Sequence, residues 1–128
     1  MSSNNLSGTI PEFIGFLPDL RIGNFASNTF TGSISNALGQ LTSLEELRIA
    51  DNFFTGNIPI QLLRLTDLQV FTFDNNDLTG TLPVDFCGVS YDFEVLRADC
   101  SEILCTCCTE CCLFGICSAT APSTVISV

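Results

Sequence analysis

The chain has 128 residues, enough for one small domain, and 46% of them are hydrophobic, enough for a continuous core. Its net charge is −10, with four Arg and no Lys, so nucleic acid and anionic membranes, which need clustered cations, are poor partner candidates. His is absent and Tyr occurs once, which removes most acid–base and nucleophilic constellations and predicts a protein that is not an enzyme and uses no cofactor.

The first segment, 1–16, contains only the second half of a motif that recurs along the chain. Asn4, Leu6, Gly8 and Ile10 stand in register with later copies, but the apolar half that should precede them is missing. We therefore expect an incomplete N-terminus. The start shows no signal peptide, and no stretch of the sequence is long and apolar enough to span a bilayer.

Three copies of a 24-residue repeat follow, at 17–40, 41–64 and 65–88. In the central copy, the apolar residues Leu44, Leu47 and Ile49 alternate with outward positions, which predicts a short strand with one buried face. Such a strand cannot bury its apolar face alone and needs the matching strands of neighbouring repeats beside it. The period therefore predicts a stack of repeats around one core.

Asparagine and glycine recur at the turn that follows each predicted strand, as Asn4, Asn28, Asn52 and Asn76 and as Gly8, Gly32, Gly56 and Gly80. The Asn amide can satisfy backbone groups of its own turn and of the neighbouring coil. Glycine suits a turn that needs a positive φ. Both are interpreted as structural ladders, since a shared period is not the mark of a catalytic or ligand site.

The terminal repeat, 89–99, has one extra residue before its strand and lacks the ladder asparagine. Atypical terminal repeats are expected as caps. The segment 100–117 then reads as a cysteine-rich C-terminal cap, and 118–128 as a tail.

All eight cysteines lie near the C-terminal end, at Cys87, Cys100, Cys105, Cys107, Cys108, Cys111, Cys112 and Cys117. Their even number and close spacing predict disulfides formed in an oxidising compartment, with a pairing that the sequence does not determine. A thiolate zinc site is the alternative, because Cys105 to Cys108 and Cys108 to Cys111 are each C-x-x-C. The shared Cys108 and the absence of His favour disulfides, and no metal ligand is assigned. A redox role ranks lower, because the C-x-x-C lacks its strand–helix context.

The spacing from Leu44 to Phe54, L-x-x-L-x-L-x-x-N-x-L, and the T/S-G-x-I-P ending that follows resemble plant-type leucine-rich repeat proteins over residues 4–99. The resemblance implies an α/β solenoid that coils right-handedly, with a parallel β-sheet on its concave face and short helical or irregular convex segments. The segment from Leu96 to Cys100 resembles the start of the cysteine-rich caps of microalgal leucine-rich repeat proteins.

Solenoids generally bind ligands on the concave face, which the outward strand positions line. The predicted ligand-binding residues are Asn24, Glu46, Arg48, Val70, Thr72, Asp74, Val95, Arg97 and Asp99. Arg48 and Arg97 can grip a carboxylate, or can instead pair with neighbouring acids and only solubilise the sheet. The resemblance implies a recognition module that binds a protein, peptide or glycan, in a secreted or cell-surface receptor-like protein.

A row of hydroxyls beside the asparagine ladder suggests a different function. Ser7, Thr31, Thr55 and Thr79 recur at the repeat period. A structural wall, adhesion or ice-surface-binding protein could use such a row, although the same residues belong to the ordinary T/S-G motif. A third alternative, an intracellular scaffold, requires reduced or metal-bound cysteines.

Overall fold

The computed structural model describes residues 6–88, 91, 93–100, 103–113 and 116–119. Within this part, the chain order of strands (β) and 3₁₀ helices (η) is β1 (Ser7–Gly8), η1 (Glu12–Phe16), β2 (Ile22–Asn24), β3 (Thr29–Ser33), η2 (Asn36–Gln40), β4 (Glu46–Arg48), β5 (Phe53–Gly56), η3 (Ile60–Arg64), β6 (Val70–Thr72), β7 (Asp77–Leu78), β8 (Gly80–Thr81), η4 (Val84–Cys87), β9 (Val95–Ala98), β10 (Ile103–Leu104), β11 (Glu110–Leu113) and β12 (Ile116–Ala119).

The first strand of each repeat joins a six-stranded concave sheet in the order β2-β4-β6-β9-β11-β12. Its pairs are parallel except for the last, in which β12 runs antiparallel to β11. Leu47 pairs with Gly23 on one side and with Phe71 on the other. Residues that pair across the sheet are therefore equivalent residues of neighbouring repeats, which confirms the predicted solenoid with parallel strands. The convex segments are short 3₁₀ helices.

A second parallel sheet, the flank sheet, has the order β1-β3-β5-β7 and was not predicted. Its register differs from the repeat period by two residues, since Gly32 pairs with Phe54 and Gly56 with Leu78. The repeated glycines adopt positive φ here, +79° at Gly32 and +81° at Gly56, which is the conformation predicted for them.

Phenylalanines form much of the core. Phe54, Phe71, Phe73 and Phe86 are each at most 1% exposed. Phe30 stacks on Phe54 with ring centroids 6.1 Å apart, so the aromatic spine continues from one repeat to the next. Full burial of a side chain of this size contributes about 1.5–3 kcal/mol, which makes the spine a main source of stability.

The asparagine ladder ties successive coils together. The Asn52 side-chain amide donates to Ile49 O and Ala50 O in its own turn and to Phe25 O of the preceding repeat. Its oxygen accepts from Phe30 N at 3.1 Å, at the start of the flank sheet. One buried amide therefore fixes its own turn and the neighbouring coil, as predicted, and it also anchors the flank sheet.

The C-terminal cysteines all form disulfides, in the pairs Cys87–Cys107, Cys100–Cys111, Cys105–Cys108 and Cys112–Cys117. The disulfide prediction is confirmed, and the free thiolates that the zinc alternative needs are absent from these eight residues. The cap extends the concave sheet, because β11 pairs with β9, and its β10 forms a separate two-stranded parallel sheet with β8. The predicted division into repeats, cap and tail stays a prediction. β12 reaches two residues into the predicted tail, whose remainder lies outside the described residues.

Among the described residues, no helix has the length and apolar character needed to cross a membrane.

Candidate functional site

The concave sheet brings the predicted ligand-binding residues into neighbouring rows. One row runs Asn24, Arg48, Thr72, Arg97, because each of these residues pairs with the next across the sheet. A parallel row contains Glu46, Val70 and Val95. Asp74 and Asp99 follow the strand ends. The β11 strand adds Glu110 beside Arg97, which repeat spacing did not predict.

Exposure differs between the strands of this surface. Val70, Thr72 and Asp74, in the third repeat, are only 4%, 2% and 5% exposed. The other predicted residues are partly exposed, namely Asn24, Glu46, Arg48, Val95, Arg97 and Asp99. The third concave strand is therefore covered, whereas the strands on both sides of it keep side chains that a ligand can reach.

The C-terminal hairpin contributes to that covering. The Sγ atom of Cys117, in β12, lies 3.6 Å from Asp74 Oδ2. The sulfur atoms of Cys112 and Cys117 and an Asp74 carboxylate oxygen all lie within 4.8 Å of one another. The hairpin disulfide is therefore packed against the end of the third concave strand, and the cap covers one end of the predicted site as well as extending the sheet.

Burial changes the acidity of Asp74. Loss of hydration raises the pKa of this carboxyl from 3.8 to about 6, although a backbone hydrogen bond and the nearby Arg97 act in the opposite direction. Its Oδ1 atom is buried and has no hydrogen-bond partner among the described residues. Asp74 therefore destabilises the fold as a carboxylate at neutral pH and is better tolerated as a neutral group in mild acid.

The two concave arginines differ in how firmly they are held. Arg97 Nη2 donates to both carboxylate oxygens of Glu110, at 3.1 and 3.2 Å. Arg48 has a single ion pair to Glu46, at 3.5 Å, on a side chain that is 36% exposed. Pairing with an acid was one of the two predicted outcomes for these residues. It describes both residues, but the ion pair of Arg48 is longer than that of Arg97 and its side chain is more exposed, 36% against 29%.

A groove of about 470 Å³ opens at the edge where the concave strands begin, and it was not predicted. It is lined by Glu45, Thr66, Asp67, Leu68, Gln69, Phe93 and Glu94. Glu45, Gln69 and Glu94 occupy equivalent positions of successive repeats, joined by hydrogen bonds from Gln69 N to Glu45 O and from Glu94 N to Gln69 O. Their repeat spacing could have revealed this acidic rim.

A family profile described as Leucine Rich Repeat matches residues 43–65 and 67–89. The chain is a plant-type leucine-rich repeat domain. It is related to the ectodomains of leucine-rich repeat receptors.

The ectodomain of BIR2 from Arabidopsis thaliana is 34% identical to the domain, with a TM-score of 0.71, and the match covers 84% of this chain and 55% of that one. The HAESA receptor kinase ectodomain from Arabidopsis, in complex with an IDA peptide hormone, is 38% identical, with a TM-score of 0.68 over 77% of this chain and 16% of that one. A plant ice-binding protein is 30% identical, with a TM-score of 0.64 over 76% of this chain and 32% of that one.

The leucine-rich repeat domain spans between 13% and 55% of the length of the receptor structures that it matches. No curated protein sequence matches it. BIR2, HAESA and the ice-binding protein all come from plants, so the resemblance of the cap to those of microalgal proteins receives no support from them.

Proposed function

We propose that the domain is a non-enzymatic recognition module that binds a peptide segment of a partner through the first two strands of the concave sheet. The observation that carries this proposal is the state of Arg48. Arg48 lies on the second concave strand between Asn24 and Thr72, partly exposed and held by one ion pair of 3.5 Å. A guanidinium in this state can form two parallel hydrogen bonds to a ligand carboxylate.

The surroundings of Arg48 define the kind of ligand. Ile22, 58% exposed, offers an apolar contact on the outer strand, and Asn24 offers an amide. Glu46 lies beside Arg48 and limits how much negative charge the site accepts. An extended peptide with one carboxylate and a neighbouring apolar side chain matches this arrangement.

The relatives support this class of ligand. HAESA binds a peptide hormone with an ectodomain built from the same repeats. The resemblance to receptor ectodomains implies a protein, peptide or glycan ligand for this chain, and the mixed polar and apolar surface around Arg48 favours a peptide.

We also propose an extracellular or cell-surface location. All eight cysteines are oxidised, and disulfides persist in secreted and surface proteins but are rare in the cytosol. The BIR2 and HAESA relatives are ectodomains, which agrees with that compartment.

Selection from a displayed library of random peptides on the immobilised domain tests the concave-face proposal. Enriched peptides are then measured by calorimetry against the wild type, Arg48→Ala and the control Arg64→Ala. Arg64 is the exposed last residue of η3, on the convex side, so its replacement removes the same charge away from the site.

We expect Arg48→Ala to weaken binding by about tenfold or more, because a hydrogen bond to a charged group contributes about 1.5–3 kcal/mol. Arg64→Ala should bind like the wild type. A library that yields no binder, or a peptide whose affinity falls equally in both variants, would show that the concave sheet is not the recognition surface.

A further inference from the structure

The flank sheet presents a second surface, which is built differently from the concave sheet. On β1, β3 and β5, and in the segment that follows β7, the residues on either side of the positive-φ glycine are exposed, while Phe30, Phe54 and Leu78 are buried in the core. We call the exposed set the hydroxyl face. It consists of Ser7, Thr9, Thr31, Ser33, Thr55, Asn57, Thr79 and Thr81.

The side chains of the hydroxyl face are free to bind something else. Among the described residues, none of the eight forms a hydrogen bond through its side chain. Thr29 shows the contrast, because its hydroxyl donates to Leu6 O at 2.8 Å and is only partly exposed. Seven hydroxyls and one amide therefore face solvent with their full hydrogen-bonding capacity.

These groups form a two-dimensional array that follows the offset register of the flank sheet. Ser33 lies directly across from Thr55 in the neighbouring strand. Adjacent strands are about 4.8 Å apart, and alternate residues of one strand about 6.6 Å apart, which sets the spacing of the array. Thr31 lies across from the exposed Phe53, and Thr55 lies across from Asp77 on its other side. A Cβ at Gly56 would meet no atom within 4 Å, whereas the methyl group of Thr9 lies over Gly32 and the amide of Asn57 over Gly80.

The array is rigid because the asparagine ladder holds its backbone from below. Phe30 N donates to Asn52 Oδ1 at 3.1 Å, and Phe54 N donates to Asn76 Oδ1 at 3.0 Å. These are the residues immediately before Thr31 and Thr55. The threonines consequently stand on a backbone that is fixed before any ligand arrives, which lowers the entropic cost of binding.

Charge is nearly absent from this surface. None of the four arginines lies in the flank sheet, and Asp77 is the one ionisable residue in its described strands. Phe53 is its one exposed aromatic ring, 53% exposed, so the row of rings that would stack on sugars is missing from the described strands. The ligand that matches is therefore uncharged, extended and periodic.

We propose that the hydroxyl face binds ice. An ice surface is a rigid periodic array of water oxygens, each able to donate and accept hydrogen bonds. Threonine supplies a hydroxyl for those bonds and a methyl group that excludes liquid water between them. The proposal has independent support from the plant ice-binding protein, which shares the repeat fold and 30% of the aligned residues. It concerns a different sheet from the peptide site and does not depend on it.

The test measures how the purified chain acts on ice. Thermal hysteresis, crystal shape in supercooled solution and inhibition of recrystallisation are compared for the wild type, a Thr31→Lys/Thr55→Lys variant and a Gln40→Lys/Thr42→Lys control. Both variants add the same charge at exposed positions, but Gln40 and Thr42 lie outside the flank sheet. Substitutions at such exposed positions usually change stability by less than about 0.5 kcal/mol, and thermal melts check that both variants are folded.

We expect the wild type and the control to shape ice crystals and inhibit recrystallisation, and the threonine variant to lose both activities while melting like the control. A wild-type chain without effect on ice would overturn the proposal. So would a folded threonine variant that remains as active as the control. Arg48→Ala should keep its activity on ice, which separates this result from that of the peptide site.

Discussion

Replacing Asn52 by Ala tests whether the asparagine ladder holds the repeats together. The Asn52 amide donates to three carbonyl oxygens, of Phe25, Ile49 and Ala50, and accepts from Phe30 N. Each carbonyl keeps another donor after the change. Phe25 O still accepts from the Asn28 amide, Ile49 O from the Asn76 amide, and Ala50 O from Ser27 N. The buried N–H of Phe30 loses this acceptor and accounts for most of the expected cost.

Leaving one buried donor unpaired costs about 1–3 kcal/mol, and the three weakened carbonyl bonds together add roughly 1 kcal/mol. We therefore expect the free energy of unfolding to fall by about 3 kcal/mol, which corresponds to a melting temperature lower by roughly 10 °C for a domain of this size. Circular dichroism melts and urea titrations measure both quantities.

Asn57→Ala is the matched control, because it removes the same amide from an exposed position that has no side-chain hydrogen bond among the described residues. Its free energy of unfolding should stay within about 0.5 kcal/mol of the wild type. Equal melting temperatures for the two variants would refute the reasoning, since they would show that the buried amide does not carry the stability assigned to it.

Two further predictions concern the cap and the buried carboxylate, beside those already made for Arg48 and the hydroxyl face. The pKa of Asp74 is raised in the folded protein, so protonation of this carboxyl stabilises the fold. That stabilisation is complete below about pH 4 and is lost as the pH rises through about 6. Asp74→Asn should therefore raise the melting temperature near pH 7, by an amount corresponding to at most about 3 kcal/mol. Near pH 4 it should leave the melting temperature nearly unchanged. An equal shift of the melting temperature at both pH values would contradict the pKa argument. Truncation after Asp99 removes β10, β11 and β12, breaks all four disulfides, and uncovers Leu96, which is fully buried. The truncated chain should melt at lower temperature with its last repeats first, and an unchanged melt would show that the cysteine-rich segment is not a cap.

The sequence was sufficient to predict the concave sheet because each structural position is repeated. Leu47 and Phe71 occur at the same step of the period, and in the structure they pair across neighbouring strands. Asn52 recurs for the same reason, since every coil needs one buried amide at its turn. A pattern that appears several times leaves few alternative registers, and a shift by one residue would turn the whole apolar face outward.

The hydroxyl face was visible in part. The sequence shows the column of Thr31 and Thr55, but a column at the repeat period does not reveal the sheet that carries it. The flank sheet pairs Ser33 with Thr55, at an offset of 22 residues. Ser33 and its equivalents vary in residue type between repeats, and only their exposure in the folded chain joins them to the threonines.

The sequence by itself therefore determined the solenoid, its core and the use of the cysteines in disulfides, because these depend on local periodicity and composition. The tertiary structure alone decided the pairing of Arg97 with Glu110, the position of Cys117 against Asp74 and the covering of the third concave strand. These contacts come from a cap without a period, which returns to residues up to 43 positions earlier in the chain. Contacts of that kind are set by where a folded hairpin fits, and repeat spacing carries no information about them.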